Sequence, residues 1–316
     1  SLEKLSKGWK VKTSKGTVST KIVINASGPF ADHVLSLRAG SQRKKHIRLV
    51  RGSHLIVKRL FTHKKAYIFQ NTDGRILFAL PYLDDFTLLG TTDIDHKGKP
   101  DKPEISQNEI DYILKELSQY LKKPISTAQI LATYSGIRPL FNDGNQTAQT
   151  VTRDYVLSWD IDSEKSWLNI FGGKLTTYRQ LALKVANMVS QKLPVPKHHE
   201  LGISCLPGGN IPNADFDTFL QNLKADFPKF PKSMLTRMAL AYGSNVFKIL
   251  GTATQPNDLG IEFGCGLYQA EVDYMVHNEW ARTADDVLNR RSKLVLYFDS
   301  PMTDKLSKYL TSLFKK

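Results

Sequence analysis

The chain has 316 residues, of which 41% are hydrophobic, so it can bury a full core and is predicted to form two domains. Its longest apolar runs, such as residues 76–83, are far shorter than the roughly 20 residues that span a bilayer, and no transmembrane helix is predicted. Two cysteines are too few for a disulfide framework or an iron–sulfur cluster, which indicates a reducing compartment.

The net charge of +14 comes from 44 basic and 30 acidic residues. Such a balance indicates anionic partners, and composition alone leaves nucleic acid, an acidic membrane face and a phosphorylated substrate open. Nucleic acid ranks last, because basic clusters such as residues 43–45 lack the interleaved aromatic residues of a single-strand binding groove. We therefore predict no nucleic-acid partner.

The first elements are a predicted hairpin over residues 9–12 and 17–25, which leads into a buried strand at residues 22–24. That strand ends in Asn25-Ala26-Ser27-Gly28-Pro29. A buried strand that ends in small residues and glycine is where open α/β sheets place a ligand, although a plain tight turn needs the same residues. A short helix is predicted over residues 31–37.

The middle of the chain has the spacing of an antiparallel sheet rather than of repeated βαβ units. One helix is predicted from a single apolar face that runs from Ile110 to Leu121 and closes at Pro124. The predicted strands cover residues 48–57, 66–69, 75–80, 86–89, 130–134 and 155–159.

The stretch Phe171-Gly172-Gly173-Lys174-Leu175-Thr176-Thr177-Tyr178-Arg179 follows a predicted buried strand at residues 167–171 and begins a helix. Paired glycines let a ligand approach the backbone closely, and the first N–H groups of a helix have no partner within the helix. This turn is therefore a candidate site for an anion or a carbonyl-rich ring. An ordinary glycine turn capped by threonine explains the same residues.

Three more polar residues interrupt apolar surroundings in the sheet region, namely His54, Arg138 and Arg153. With Lys174 they would form a cationic pocket, since arginine suits phosphate or carboxylate and histidine suits removal of a proton from an alcohol. A structural histidine and a local ion pair between Arg153 and Asp154 are the alternatives, and spacing alone does not bring the four residues together.

Proline and glycine break every period between Pro194 and Asn213, which predicts a domain boundary. Beyond it the pattern is helical and predicts a small helical domain. The predicted helices cover residues 216–223, 234–242, 269–280, 284–296 and 304–314.

Taken together and in order, six motifs resemble the FAD-dependent glycerol-3-phosphate dehydrogenases, from about residue 22 to the end of the chain. The C-terminal Glu271-Val272-Asp273-Tyr274 and residues 285–291 resemble the helical cap domain of that family. The motifs are Asn25-Ala26-Ser27-Gly28-Pro29, Arg51-Gly52-Ser53-His54, Leu89-Gly90-Thr91-Thr92-Asp93, Tyr134-Ser135-Gly136-Ile137-Arg138-Pro139-Leu140, Thr152-Arg153-Asp154-Tyr155 and Gly172-Gly173-Lys174-Leu175-Thr176-Thr177-Tyr178-Arg179.

The resemblance implies an α+β fold of the D-amino-acid-oxidase or glutathione-reductase type, with an antiparallel substrate-binding sheet and an all-helical cap. The implied domains are a remnant of the FAD-binding domain at 1–45, the substrate-binding sheet at 46–160, a return to the FAD domain at 161–196 and the cap at 210–316. The family opens with a GxGxxG turn, which this chain lacks. We therefore expect the C-terminal portion of a longer enzyme, inactive by itself.

The implied activity is oxidation of sn-glycerol 3-phosphate to dihydroxyacetone phosphate, with hydride transfer to FAD and electrons passed to a membrane quinone. The implied location is the cytoplasm, at the anionic inner face of the membrane, and a homodimer is left open. His54 is the implied base, Arg138 binds the phosphate or the carbinol oxygen, Arg153 is a weaker phosphate ligand, and Lys174 lies by the flavin or the substrate. The implied FAD-lining residues are Ala26, Gly28, Gly173, Lys174, Leu175, Thr176 and Thr177.

Two alternatives remain from the sequence. The nearest is the oxidase branch of the family, which uses oxygen and makes peroxide. The anaerobic branch is disfavoured, because its cluster-associated cysteines are not present beside Cys205 and Cys265. The other class is a non-catalytic basic module that docks on acidic lipid or on a second subunit, and it predicts salt-dependent vesicle binding without an effect of glycerol phosphate.

Overall fold

The computed structural model describes residues 1–38, 45–142, 144, 153–162, 165–193 and 205–315. The chain divides into two compact units, Ser1–Pro196 and Lys197–Lys316. Most of the boundary predicted between Pro194 and Asn213 lies outside the described residues, and the finer division predicted within the first unit stays a prediction. Among the described residues, no helix is long and apolar enough to cross a bilayer.

The first unit begins with a three-stranded antiparallel meander of β1 (Leu2–Lys4), β2 (Trp9–Thr13) and β3 (Gly16–Thr20), as the predicted hairpin requires. It continues into β4 (Ile22–Asn25) and the short helix α1 (Ala31–Ser36).

The main structure of the first unit is a six-stranded sheet with the strand order β10-β5-β8-β7-β6, to which β9 adds by pairing with β5. Every pairing in it is antiparallel, as the strand spacing predicted. Its strands are β5 (Ile47–Lys58), β6 (Tyr67–Gln70), β7 (Ile76–Tyr82), β8 (Phe86–Gly90), β9 (Ile94–Asp95) and, after the helix α2 (Gln107–Ser118), β10 (Ile130–Phe141).

Two predicted boundaries in this region are wrong. Helix α2 ends at Ser118 rather than continuing to Pro124, although Leu121 still packs against the same core. Strand β10 continues seven residues beyond Tyr134, because residues 132–141 pair with β5 in one continuous register. The Ser135–Leu140 motif, which contains Arg138, therefore lies on a strand.

One face of the six-stranded sheet is covered by α2. Side chains alternate between the two faces of a strand, so Leu55 and Val57 of β5, Leu77 and Ala79 of β7 and Leu89 of β8 point toward this helix. The core between them contains Leu55, Val57, Leu77, Ala79, Leu89, Ile113 and Leu117, all of them buried. The opposite face of the sheet is not covered by α2.

A separate three-stranded sheet has the order β11-β12-β4, with β11 (Tyr155–Asp162) antiparallel and β4 parallel to β12 (Lys165–Gly172). Trp167 and Phe171 are buried, as predicted for this strand. The prediction that residues 22–24 are fully buried is wrong for Ile24, which is 43% exposed. Among the described strands β4 pairs only with β12, so it is less covered than β12.

The helix predicted after the glycine turn begins later than expected. Leu175–Thr177 form a 3-10 turn, and α3 (Tyr178–Ser190) follows it. Leu175 lies in this turn, before α3, and is 87% exposed. Val185 of α3 is buried as expected.

The second unit is mainly helical, which confirms the predicted helical domain. Its central core includes Leu235, Met238, Val272, Met275 and Leu306. Its elements are α4 (Phe216–Asp226), α5 (Lys232–Tyr242), α6 (Val246–Leu250), the hairpin of β13 (Glu262–Gly264) and β14 (Leu267–Tyr268), α7 (Gln269–Asn278) and α8 (Ser300–Phe314).

The single helix predicted over residues 284–296 is wrong. The structure has a π-helical segment at Asp286–Arg291 and a separate 3-10 turn at Leu294–Leu296. Lys293 adopts a left-handed conformation between them, with φ of 58°, which interrupts a right-handed helix. The short helix α6 and the β13–β14 hairpin are elements that the sequence patterns did not predict.

Candidate active site

The face of the six-stranded sheet that points away from α2 carries two of the predicted site residues. In the β5–β10 register Tyr134 lies opposite His54, Gly136 opposite Gly52, and Arg138 opposite Val50. Residues directly opposite each other, and residues two apart on one strand, point to the same side. We call His54, Tyr134, Gly136, Arg138 and Gly52 together the site face.

Arg138 is held in one orientation by the segment between β8 and β9. Its Nη1 donates to Asp93 Oδ1 at 2.8 Å and to the Thr92 carbonyl oxygen at 3.3 Å, and its Nη2 donates to Thr91 Oγ1 at 3.1 Å. A Cβ added at Gly52 would lie 2.1 Å from Nη1, so the guanidinium group packs directly over a glycine. Only glycine fits at this point of β5 without displacing Arg138.

Arg153 joins the same cluster, since its Nη2 donates to Asp93 Oδ2 at 3.1 Å. Two of the predicted phosphate ligands therefore meet on one carboxylate that contacts both. Asp93 holds the two guanidinium groups beside each other, and the three side chains keep a net charge of +1, which favours an anion.

His54 lies four residues from Val50, the strand partner of Arg138, and its imidazole packs across Gly90. Its ring centroid is 5.9 Å from that of Tyr134. The buried Nδ1 atom has no hydrogen-bond partner among the described residues. Burial lowers the pKa of His54 below its usual value of 6.5, and repulsion from Arg138 lowers it further, so the imidazole is neutral at pH 7.

The predicted cofactor-lining residues lie at the carboxyl ends of two neighbouring parallel strands. Asn169 of β12 pairs with Asn25, the last residue of β4, and β12 continues beside β11 to Gly172 before it ends at the same edge of the sheet. Asn25 Nδ2 donates to Asn169 Oδ1 at 2.9 Å, and Ser27 Oγ donates to Asn25 Oδ1 at 2.6 Å. Ala26 and Gly28 follow the first strand, and Gly173, Lys174, Leu175, Thr176 and Thr177 follow the second.

Lys174 occupies the N-cap position of the 3-10 turn and has an exposed side chain. Its carbonyl oxygen accepts hydrogen bonds from the N–H and the hydroxyl group of Thr177, both at 3.1 Å. Lys174 therefore lies directly after β12, and its place in a cationic pocket with Arg138 and Arg153 stays a prediction. Its assignment to substrate or flavin stays a prediction.

The glycine turn also touches the strand that carries Arg138. A Cβ added at Gly172 would lie 3.5 Å from the Phe141 nitrogen and 3.6 Å from the Pro139 carbonyl oxygen of β10. Gly172 and Gly173 have φ of 73° and 100°, a conformation that favours glycine. Within the first unit, the glycine turn after β12 and the C-terminal half of β10 are therefore neighbours.

The residues present suit a flat, carbonyl-rich ring such as that of FAD. A Cβ added at Gly28 or Gly136 would meet no atom within 4 Å, so a ligand can approach the backbone at both points. Leu175 at 87% exposure, two residues after Gly173, and Tyr134 at 61% exposure, two residues before Gly136, offer apolar surface. The unpartnered Nδ1 of His54 adds a polar atom, and apolar walls with a few polar groups are typical of cofactor sites.

Sequence reasoning missed three residues of this region, Thr91, Asp93 and Glu109. The first two stand in the Leu89–Asp93 motif, but their role depends on Arg138, which lies 45 residues after Asp93 in the chain. Glu109 has a signal that could have been found, because Ser106 and Glu109 have the spacing of a helix capping box, and the structure contains that box.

Comparisons with known proteins show the family of the chain. The family model described as FAD dependent oxidoreductase matches residues 1–179, and the C-terminal domain of alpha-glycerophosphate oxidase matches residues 204–313. The first match covers more than half of the chain, so the chain belongs to the FAD-dependent oxidoreductase family. The predicted fold class and the predicted oxidoreductase class are confirmed, and the cofactor of this family is FAD.

The relatives have related names. The aerobic glycerol-3-phosphate dehydrogenase of Escherichia coli K12 is 39% identical over 294 residues, which are 91% of this chain and 58% of that protein. The D-erythritol 1-phosphate dehydrogenase of Brucella abortus is 36% identical over 296 residues, which are 92% of this chain and 59% of that protein. The chain thus spans a little under three fifths of these relatives.

A solved structure has a similar fold. The glycerol-3-phosphate dehydrogenase from Bacillus halodurans, complexed with FAD, superposes with a TM-score of 0.76 at 25% sequence identity. The match covers 98% of this chain and 62% of that one. The predicted resemblance to FAD-dependent glycerol-3-phosphate dehydrogenases is confirmed at the level of family and fold.

Proposed function

We propose that this chain is the substrate-binding part of an enzyme that oxidises the C2 hydroxyl group of sn-glycerol 3-phosphate to the ketone of dihydroxyacetone phosphate. The observation that carries the proposal is the site face, where a fixed guanidinium group and a neutral imidazole point to the same side of one sheet. A phosphorylated alcohol needs one group that binds its phosphate and another that accepts its hydroxyl proton.

Arg138 is suited to the phosphate because Asp93, Thr91 and Thr92 hold its guanidinium group before any ligand arrives. A preorganised cation loses little side-chain entropy when it binds an anion. Arg153 on the other oxygen of Asp93 adds a second positive charge nearby. We assign Arg138 as the principal phosphate ligand and Arg153 as the weaker one.

His54 is suited to take the hydroxyl proton, because its lowered pKa keeps it neutral and its Nδ1 has no partner among the described residues. As the proton leaves the oxygen, the C2 carbon gives up a hydride and the C–O bond becomes a double bond. FAD, when bound, supplies the acceptor for that hydride. The nearby Arg138 cation opposes protonation of His54, which keeps the base available at neutral pH.

A four-carbon substrate is the competing choice. A relative named D-erythritol 1-phosphate dehydrogenase is nearly as similar as the aerobic glycerol-3-phosphate dehydrogenase, at 36% against 39% identity. Arg138 and His54 would serve either polyol phosphate, since each carries a phosphate and a secondary hydroxyl group. We favour glycerol 3-phosphate because most of the similar relatives have that name.

We also infer that the electrons pass to a quinone at an anionic membrane surface on the cytoplasmic side. The names of the relatives are those of dehydrogenases, and a net charge of +14 favours attraction to acidic lipid. Oxygen as the acceptor is the alternative. Anaerobic turnover with a soluble quinone, compared with peroxide release in air, separates the two. A homodimer stays a prediction.

The test uses the full-length enzyme with FAD and sn-glycerol 3-phosphate as the varied substrate. We expect Arg138→Ala mainly to raise KM and His54→Ala mainly to lower kcat, because the first residue binds and the second removes a proton. Arg75→Ala, which removes an arginine paired with Asp73 in a turn, is the matched control and leaves both constants near the wild-type values. Unchanged kinetics in Arg138→Ala and His54→Ala would remove both residues from the site. Higher kcat/KM with D-erythritol 1-phosphate would change the substrate.

A further inference from the structure

Beneath the site face, on the side of the sheet that packs against α2, lies a buried carboxylate with more hydrogen bonds than its local role needs. Glu109 stands in the first turn of α2 and is fully buried. As part of the capping box it accepts from the Ser106 N–H at 2.9 Å, and it also accepts from Ser106 Oγ at 2.8 Å. A capping box requires nothing further.

Glu109 nevertheless accepts from two additional hydroxyl groups and pairs with an arginine. Ser53 Oγ donates to its Oε1 at 2.8 Å and Thr92 Oγ1 donates to the same oxygen at 2.7 Å. Arg51 completes the set through Oε2. These partners come from β5 and from the segment after β8, so one carboxylate connects both parts of the sheet to the helix.

Every hydroxyl group in this network is oriented toward the carboxylate. Ser135 Oγ donates to Ser53 Oγ at 3.0 Å, and Ser53 in turn donates to Glu109. Thr92 Oγ1 accepts from the Ser53 backbone N–H at 3.0 Å, so its own proton is free to go to Glu109. All of these neighbours donate hydrogen bonds to the Glu109 carboxylate. A glutamine at position 109 would replace one of the two acceptor oxygens by an NH2 group, which would then face groups that are themselves donors.

The two additional partners are the neighbours of the site residues. Ser53 directly precedes His54, and Thr92 lies between Thr91 and Asp93. Those two residues and the Thr92 carbonyl are the acceptors for the Arg138 guanidinium group. Glu109 belongs to α2 and contacts the side of the sheet that α2 covers, so it does not reach the site face. Its connection to Arg138 passes through Thr92.

We propose that Glu109 is a positioning residue, which through the Thr92 hydroxyl group fixes the 91–93 segment and thereby sets the orientation of the Arg138 guanidinium group toward a phosphorylated ligand. The inference rests on the proposed function for the identity of that ligand. The carboxylate stays ionised, because burial raises its pKa but the hydrogen bonds from Ser106, Thr92 and Ser53 outweigh it and lower the pKa to about 2.

The experiment measures binding of dihydroxyacetone phosphate to the oxidised full-length holoenzyme by titration calorimetry, so no turnover is involved. Thr92→Val removes the hydroxyl group while keeping the shape of the side chain. We expect it to weaken binding about tenfold, the size expected when a charged hydrogen bond that orients a ligand group is lost. Glu109→Gln is expected to weaken binding by at least as much. If Glu109→Gln does not fold, Thr92→Val carries the test.

Combining Thr92→Val with Arg138→Ala separates a positioning effect on Arg138 from a merely structural effect. In an Arg138→Ala background, Thr92→Val is expected to have no further effect on binding, because the group that it orients is gone. Glu271→Gln, which alters a fully buried glutamate of the second unit, is the matched control and is expected to change binding less than about twofold. Full additivity of Thr92→Val and Arg138→Ala would overturn the inference, as would equal weakening by Glu271→Gln.

The same titrations distinguish failure of this inference from failure of the proposed function. If Arg138→Ala binds dihydroxyacetone phosphate as tightly as the wild type, Arg138 is not the phosphate ligand, the proposed function loses its main support and Glu109 has no ligand group to position. If Arg138→Ala weakens binding but Thr92→Val does not, the proposed function stands and the positioning role of Glu109 is wrong.

Discussion

The two units of the chain each contain a fully buried glutamate that pairs with an arginine. In the first unit Glu109 pairs with Arg51. In the second unit Glu271 accepts from Arg237 Nη1 at 2.6 Å and Nη2 at 2.7 Å. The local chemistry is the same, a carboxylate and a guanidinium group removed from water together.

The two glutamates differ in the location of their other hydrogen-bond partners. Glu271 accepts from the Tyr242 hydroxyl group at 2.9 Å, and Arg237 also donates to the Gly266 carbonyl oxygen at 2.8 Å. Burial raises the pKa of Tyr242 and the Glu271 charge raises it further, so Tyr242 stays a donor. All of these residues belong to the second unit. The partners of Glu109 instead flank the residues of the site face. A buried ion pair can thus stabilise one unit and position a site in another.

The largest effect is expected when the Arg237–Glu271 pair of the second unit is broken. Arg237→Met leaves the Glu271 carboxylate buried without its cation and is expected to destabilise the unit by about 3–5 kcal/mol. Hydrogen exchange of amides in α5 and α7 of the full-length enzyme measures this loss. The double variant Arg237→Met/Glu271→Leu removes both charges and is expected to recover most of it. A large drop in ligand affinity at unchanged stability would contradict the comparison.

The next effect concerns pH and the first unit. The pKa of Glu109 is lowered from 4.5 to about 2, so its stabilising contribution is complete above pH 4.5 and is lost as the pH falls toward 2. The shift corresponds to about 3 kcal/mol. We expect the stability difference between wild type and Glu109→Gln, measured by exchange of the β5 amides, to shrink over this range. A difference that does not depend on pH would show that ionisation of Glu109 contributes nothing.

A smaller effect compares two glycines that face each other across β5 and β10. Gly52→Ala would place a methyl group on the Arg138 guanidinium group, which is the end of a flexible side chain and can move aside, so we expect a cost of less than about 1 kcal/mol. Gly136→Ala meets no atom within 4 Å and is the matched control, since the two residues are partners in the register. Thermal unfolding of the ligand-free proteins measures both. Equal destabilisation would mean that Arg138 does not pack on Gly52.

The smallest effect is a displaced inflection in the pH profile. With a pKa lowered from 6.5 by burial and by Arg138, His54 gains its proton only below that pH. We expect kcat/KM to fall as the pH falls, with an inflection below 6.5. Arg138→Gln removes the repulsion and moves the inflection upward toward the usual value. An inflection that is the same in both enzymes would show that the two residues do not interact.

Local patterns predicted much of the fold because they depend on neighbours in sequence. The spacing of strand-like runs between turn residues predicted the antiparallel sheet. The glycine pair predicted the turn at Gly172 and Gly173, whose positive φ angles favour glycine. The exposed Leu175 and the broken helix over residues 284–296 were missed, because a helical period does not show which face is covered or where a left-handed residue interrupts it.

The sequence by itself determined the family, the order of the motifs and the residue types of the site, because these depend only on the identity and the order of residues along the chain. The tertiary structure alone decided that Arg138 and Arg153 meet on Asp93 and that Glu109 supports the segment beside them from the other side of the sheet. These contacts join residues 17 to 60 positions apart. Their formation depends on strand register and on the packing of α2, which no local spacing specifies.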